Sequence, residues 1–150
     1  MQGGEERWKE LALGTIGESG RRTGAARRAV VDLLAGQDCC LSAQEIADHL
    51  RSAGDGVGTA SVYRALDLLH REGLVTRVEV GQGGARYERA HPGGDHHHHV
   101  VCERCGTITP FEDRELERAI EHLSRRLRHS VNGHDVLIRG RCRDCGTQAA

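Results

Sequence analysis

Two short stretches of this chain carry the residue types and spacing of a metal-binding protein. The first reads Asp95-His96-His97-His98-His99-Val100-Val101-Cys102-Glu103-Arg104-Cys105, and the second is Cys142-Arg143-Asp144-Cys145. A Cys-x-x-Cys turn offers two thiolates to one ion, and zinc takes four tetrahedral ligands at roughly 2.0–2.3 Å. Two such turns make a complete structural site from Cys102, Cys105, Cys142 and Cys145. Gly106 and Gly146 follow the two knuckles, where the chain must turn tightly around the metal. The bland alternative is two unrelated redox or buried cysteine pairs, and the paired spacing favours the metal.

With 150 residues, the chain can form one ordinary domain or two small ones. Small domains have thin cores, so a metal staple is physically reasonable. No apolar run reaches the length of a membrane span, and the polar, charged start Met1–Glu10 predicts no secretory leader. Six cysteines then read as metal ligands in a reducing cytoplasm rather than as a disulfide scaffold. The net charge of −1 gives nucleic-acid binding no global support. Any such activity must rest on local clusters, of which Arg21, Arg22, Arg27 and Arg28 form the densest.

The elements that must position these residues follow from periodicity. A short helix is expected over Glu5–Leu13. Another starts at Thr23, with Ala26, Val30, Leu33 and Leu34 on one face, and ends at Gly36. Ser42-Ala43-Gln44-Glu45 is a capping box opening a helix with Ile46 and Leu50 inward. The next helix, Thr59–Glu72, buries Val62, Ala65, Leu66 and Leu69, with Gly73 at its C-cap. Two β-like runs, Leu74–Val80 and Ala85–Arg89, flank Gly81-Gln82-Gly83-Gly84 as a hairpin. Helices followed by a hairpin give the order of a winged helix-turn-helix, whose recognition helix enters the major groove. There Ser61, Tyr63 and Arg64 become candidates for base or phosphate contact, and Arg22 and Arg27 for the backbone.

His91-Pro92-Gly93-Gly94 reads as a hinge (residues 91–94) between a domain over residues 1–90 and a second over residues 95–150. The second domain predicts strands His97–Val101, Thr107–Phe111 and Asp135–Arg139, and a helix Asp113–Arg128 with Leu116, Ile120, Leu123 and Leu127 in one apolar stripe. That stripe marks it as a dimerisation unit. The expected class is α+β: an N-terminal winged helix-turn-helix plus a small C-terminal α/β dimerisation domain with a four-cysteine zinc site.

The chain resembles the ferric-uptake-regulator family of bacterial metal-responsive repressors. The matching stretches are Leu41-Ser42-Ala43-Gln44-Glu45-Ile46, Ser61-Val62-Tyr63-Arg64-Ala65-Leu66, Gly73-Leu74-Val75, Arg86-Tyr87-Glu88, the histidine run, both knuckles and His134. They span residues 21–146. The resemblance implies a cytoplasmic homodimer that binds an inverted-repeat operator in double-stranded DNA, with neither a membrane nor a small organic substrate as partner. It implies a structural Zn2+ on the four cysteines, and a hinge sensor site at Cys40, Glu88, His97 and His99 for Zn2+ or Fe2+, Mn2+ being a further option. An additional site is implied at His96, His98, Glu117 and His134. Strand alternation agrees with this division, since His97 and His99 share one face and His96 and His98 the other.

The chain departs from the family at points that bear on its metal. Pro110 stands where many relatives carry a carboxylate ligand, with Glu112 as a nearby substitute. Four ligands including a thiolate favour tetrahedral zinc over octahedral iron or manganese. A zinc-uptake-like member is one branch of the resemblance, although Ala90 and His91 occupy the place of a cysteine common there. A peroxide sensor is another, and such relatives prefer aspartate at the position of Glu88.

Other function classes fit less well. Zinc deaminases need a His-x-Glu ahead of Pro-Cys-x-x-Cys, which is absent. A zinc hydrolase keeps an open metal position, whereas four cysteines close this one. A zinc-ribbon adaptor that binds only protein leaves the winged-helix pattern unexplained.

Overall fold

The structure is a computed structural model that describes residues 2–18, 24–37, 39–80, 84–90 and 97–146. Two compact units divide the chain, Met1–Gly93 and Gly94–Ala150. The expected hinge at residues 91–94 and the hairpin tip at residues 81–83 lie outside the described residues, as do Arg21, Arg22 and His96.

In the first unit, α1 (Gln2–Glu18) is longer than the helix expected over Glu5–Leu13. Trp8, Ala12 and Ile16, spaced by four, are all buried and carry the helix past Gly14. The Trp8 indole Nε1 donates to the Leu74 carbonyl at 2.9 Å, pinning α1 to the residue that precedes Val75. Helix α2 (Ala25–Ala35) buries Val30, Val31, Leu34 and Ala35. Strand β1 (Leu41–Ser42) leads into α3 (Ala43–Ser52), and α4 (Thr59–Arg71) buries Val62, Ala65, Leu66, Leu68 and Leu69. Glu72 is the C-cap of α4, and Gly73 is the next residue. Gly73 has φ +69°, the left-handed region where a Cβ is disfavoured. It ends the helix there and turns the chain into β2 (Val75–Glu79).

β2 pairs antiparallel with β3 (Ala85–Arg89), giving a three-stranded sheet of order β1-β3-β2. β1 was invisible in the sequence because two residues have no periodicity to read. The capping box forms as its motif predicts. Ser42 Oγ accepts from the Glu45 amide at 3.1 Å, and Glu45 Oε2 accepts from the Ser42 amide at 2.8 Å. Arg86 on β3 also donates to Glu45 Oε2 at 2.8 Å, tying the helix start to the wing.

In the second unit, β4 (His98–Cys102) lies between antiparallel β5 (Ile108–Phe111) and parallel β6 (Leu137–Gly140). A parallel pair needs a crossover, supplied by β5 and α5 (Arg114–Leu127). Asp113 caps α5 by accepting from the amides of Glu115 and Leu116 at 2.9 and 2.8 Å. The four-residue α6 (Arg143–Gly146), too short to read in sequence, carries Cys145. The apolar stripe of α5 is only partly covered within the unit, with Leu116 and Ile120 half-buried. Leu123 and Leu127 are 42% and 56% exposed, and Val131 and, on β6, Ile138 are exposed as well.

Glu45 yields the first prediction. Burial pushes its pKa up, but the Ser42 amide and hydroxyl and the Arg86 guanidinium outweigh this and hold it below 4.5. A depressed carboxyl contributes stability above its ordinary pKa, and that contribution is lost as pH falls through the folded-state value. Ser42→Ala should cost about 1 kcal/mol, read by urea unfolding through Trp8, the one tryptophan. Glu45→Gln should destabilise at neutral pH, with the difference from the parent shrinking as the buffer is taken into the acid range. A pH-independent difference would remove the ionised carboxylate from the account.

Candidate metal centres

The parallel register of β4 and β6 sets Cys102 opposite Gly140, which brings the two knuckles side by side. All four sulfurs of Cys102, Cys105, Cys142 and Cys145 lie within 4.8 Å of one another. Cys105 and Cys142 are 3.8 Å apart, Sγ to Sγ. Tetrahedral zinc with Zn–S near 2.3 Å requires edges of about 3.8 Å. The backbone is already arranged for thiolates. The amides of Cys142 and Cys105 point at Cys102 Sγ at 3.4 and 3.5 Å. Gly106, with φ +75°, donates to the Cys102 carbonyl at 2.9 Å and closes the first knuckle.

The electrostatics ask for a cation. The two amide hydrogen bonds hold the Cys102 thiol down to about 6. The Thr107 hydroxyl, 3.2 Å from Cys105 Sγ, lowers that thiol too. Crowding by the Cys142 sulfur pushes Cys145 up to about 12. Without a positive ion the cluster cannot ionise fully, and four convergent thiols fit structural Zn2+.

A second cluster sits between β4 and α5. His98, which is buried, places Nε2 at 2.7 Å from Glu117 Oε1, and His134 places Nε2 at 3.1 Å from Glu117 Oε2. The Val136 amide donates to His98 Nδ1 at 3.3 Å, fixing the ring. One carboxylate thus joins two imidazoles whose rings are 5.2 Å apart. The three residues converge closely enough to share an ion.

The other face of β4 carries a different pair. His97 and His99 have ring centroids 4.9 Å apart, and His99 is buried. In the β4–β5 register His99 stands opposite Pro110, which offers no donor side chain. Glu112 is exposed just beyond β5. In the first unit, Cys40 is buried, and its thiol is pushed up by the neighbouring Cys39 sulfur, by burial and by the Glu88 charge.

On α4, Tyr63 and Arg64 are exposed, and Arg64 donates to Ser61 Oγ at 3.0 Å, which sets those two side chains on one face. Arg27 sits half-buried on α2. Two contributors escaped the sequence reading. Thr107 carries no motif of its own, and Cys39 was visible only as the first half of a cysteine doublet.

The ferric uptake regulator family matches this chain over residues 18–139. The ferric uptake regulation protein of Helicobacter pylori is 30% identical over 131 residues, covering 87% of this chain and 86% of that protein. Among solved structures, the Helicobacter pylori ferric uptake regulator, described as having three functional metal binding sites, is 29% identical with a TM-score of 0.83. It covers 95% of this chain and 93% of its own. The Vibrio cholerae ferric uptake regulator is 26% identical with a TM-score of 0.77, covering 86% and 98%.

Loss of one thiolate tests the four-cysteine centre. Cys142→Ser should release zinc and lower the melting temperature of the second unit, because structural zinc contributes on the order of 10 kcal/mol in small sites. Zinc content by a chromogenic chelator and thermal melts of the same sample read both effects. A variant that keeps full zinc and melts like the parent would rule the cluster out.

Proposed function

The chain belongs to the ferric uptake regulator family of metal-responsive transcriptional regulators, and from that premise we propose that it is a cytoplasmic, homodimeric repressor that binds double-stranded DNA when its regulatory metal is bound. It is a regulator and not an enzyme, and its metals act as structural staple and effector. The observation that carries the reading is the joining in one chain of two units. One is a winged-helix unit presenting Ser61, Tyr63 and Arg64 on an accessible helix; the other holds a four-sulfur cluster and a His98-Glu117-His134 cluster.

Each function has its residues. Cys102, Cys105, Cys142 and Cys145 hold structural Zn2+. Cys40, Glu88, His97 and His99 form the sensor set on the strength of the family resemblance, and His98, Glu117 and His134, with His96, form the additional site. One thiolate, one carboxylate and two imidazoles, with Pro110 opposite His99, suit tetrahedral Zn2+ better than octahedral Fe2+ or Mn2+. The exposed Leu123, Leu127 and Ile138 support pairing of two second units, since a soluble chain rarely leaves such residues bare together. Arg27 and Arg22, on or just before α2, supply phosphate contacts to an inverted-repeat operator, and Tyr63 and Arg64 reach the bases.

Metal favours the DNA-binding state only by binding that state more tightly than the alternative. His99→Ala should therefore abolish metal-stimulated operator binding while leaving the four-cysteine zinc and the dimer intact, as read by DNA titration with Zn2+, Fe2+ and Mn2+ in parallel. Glu117→Ala should have a milder effect. If His99→Ala protein gains operator affinity on adding metal as the parent does, the sensor lies elsewhere.

Arg64→Ala should weaken specific operator binding by roughly 1–3 kcal/mol if the guanidinium reads a base edge. Equal weakening on random DNA would assign it to phosphate.

A further inference from the structure

Cys39 has no place in either cluster of the second unit nor in the sensor set, yet it stands beside Cys40 on the segment between α2 and β1. The two sulfurs are 3.9 Å apart and neither is in a disulfide. Two thiolates on one ion at roughly 2.3 Å and a tetrahedral angle lie about 3.8 Å apart. The Cys105–Cys142 pair shows the same spacing, 3.8 Å, inside the four-sulfur cluster.

A disulfide suits the doublet poorly. It needs sulfurs at about 2.05 Å and Cα atoms usually about 4.4–6.8 Å apart, whereas neighbouring residues hold their Cα atoms at about 3.8 Å. The pair has the bite of a chelate. Its surroundings agree. Cys39 is half-buried and gives a way in, while Cys40 is buried behind it. Thiolate donors select soft ions over hard ones.

We propose that Cys39 and Cys40 form a dithiol site for a soft, thiophilic metal or metalloid ion, with trivalent arsenic as the class that uses both sulfurs. With phenylarsine oxide, two As–S bonds form, the As–O bond breaks, and the two thiol protons leave with that oxygen as one water. Arsenic stays trivalent, so no oxidant or reductant is needed. The site rests on the sulfur spacing of the doublet and not on the proposed sensor set, although Cys40 serves in both.

The test uses the full chain carrying one zinc per chain, on the four knuckle cysteines, with the regulatory metal removed, so that Cys39 and Cys40 are the two cysteines outside the loaded site. Phenylarsine oxide is added in the presence of excess 2-mercaptoethanol, which strips adducts held by a single thiol. Native mass spectrometry should show the gain of one phenylarsenic group with zinc retained. The gain should be lost in Cys39→Ser and in Cys40→Ala. Cys39→Ser, at a half-buried position, keeps the test valid if Cys40→Ala fails to fold. Absence of uptake by the parent chain would overturn the proposal, as would uptake that survives either substitution or occurs only with loss of zinc. None of these readouts depends on DNA binding, so failure here is distinguishable from failure of the proposed function.

Discussion

Four sulfurs held within 4.8 Å of one another cannot all carry charge unless a cation sits among them, and the second unit is built on that constraint. Its own apolar burial is thin. Among the described residues of the unit, Val101 and Cys102 are its buried apolar side chains, alongside buried His98 and His99. α5 buries nothing fully. A core this small gains little from burial alone, so the ion that joins the start of the β4–β5 turn to the end of β6 supplies what packing does not. The parallel β4–β6 pairing and the two knuckles depend on each other. The register aligns the cysteines, and a shared ion holds the register.

The first unit is stabilised differently. Its core runs from Trp8 on α1 through Val30 and Val31 on α2, Ile46 on α3 and Leu66 on α4 to Val75 on β2. This is an ordinary hydrophobic interior that needs no metal. The polar link between Glu45, Ser42 and Arg86 sets where α3 begins and where the wing lies against it. The accessible face of α4 is thus presented by apolar packing together with these polar contacts. The division suits a protein whose DNA-reading part must stay folded while its metal occupancy changes.

What the sequence made legible follows from how each signal is encoded. Long amphipathic helices and the capping box were readable because their periodicity and caps are local. The four-cysteine set was readable because a Cys-x-x-Cys spacing is imposed by the metal, wherever in the chain the two halves fall. α1 was underestimated because Gly14 and Gly17 weaken helix propensity, while the deciding term was tertiary burial of Ala12 and Ile16. β1 and α6 are too short for any period. The triad at Glu117 was suggested only by resemblance, since His98, Glu117 and His134 meet through a register and a crossover that no local pattern records.

Strand β4 shows why a run of like residues can serve unlike purposes. Its pleat turns His98 toward α5 and Glu117 and leaves His97 and His99 together on the other side, so a shift of one residue would exchange the two sets. Cys40 faces the opposite problem, one side chain shared by two assignments. A thiolate that closes a chelate with Cys39 is unavailable to a sensor set with Glu88, His97 and His99. Linkage then requires each ion to weaken the other by the same factor. A soft ion on the doublet would lower the affinity for the regulatory metal, and through it the DNA-binding population. The regulatory metal would in turn protect the doublet. If both assignments hold, the pairing of Cys39 with Cys40 makes the winged-helix unit answer to two kinds of metal with opposite sign.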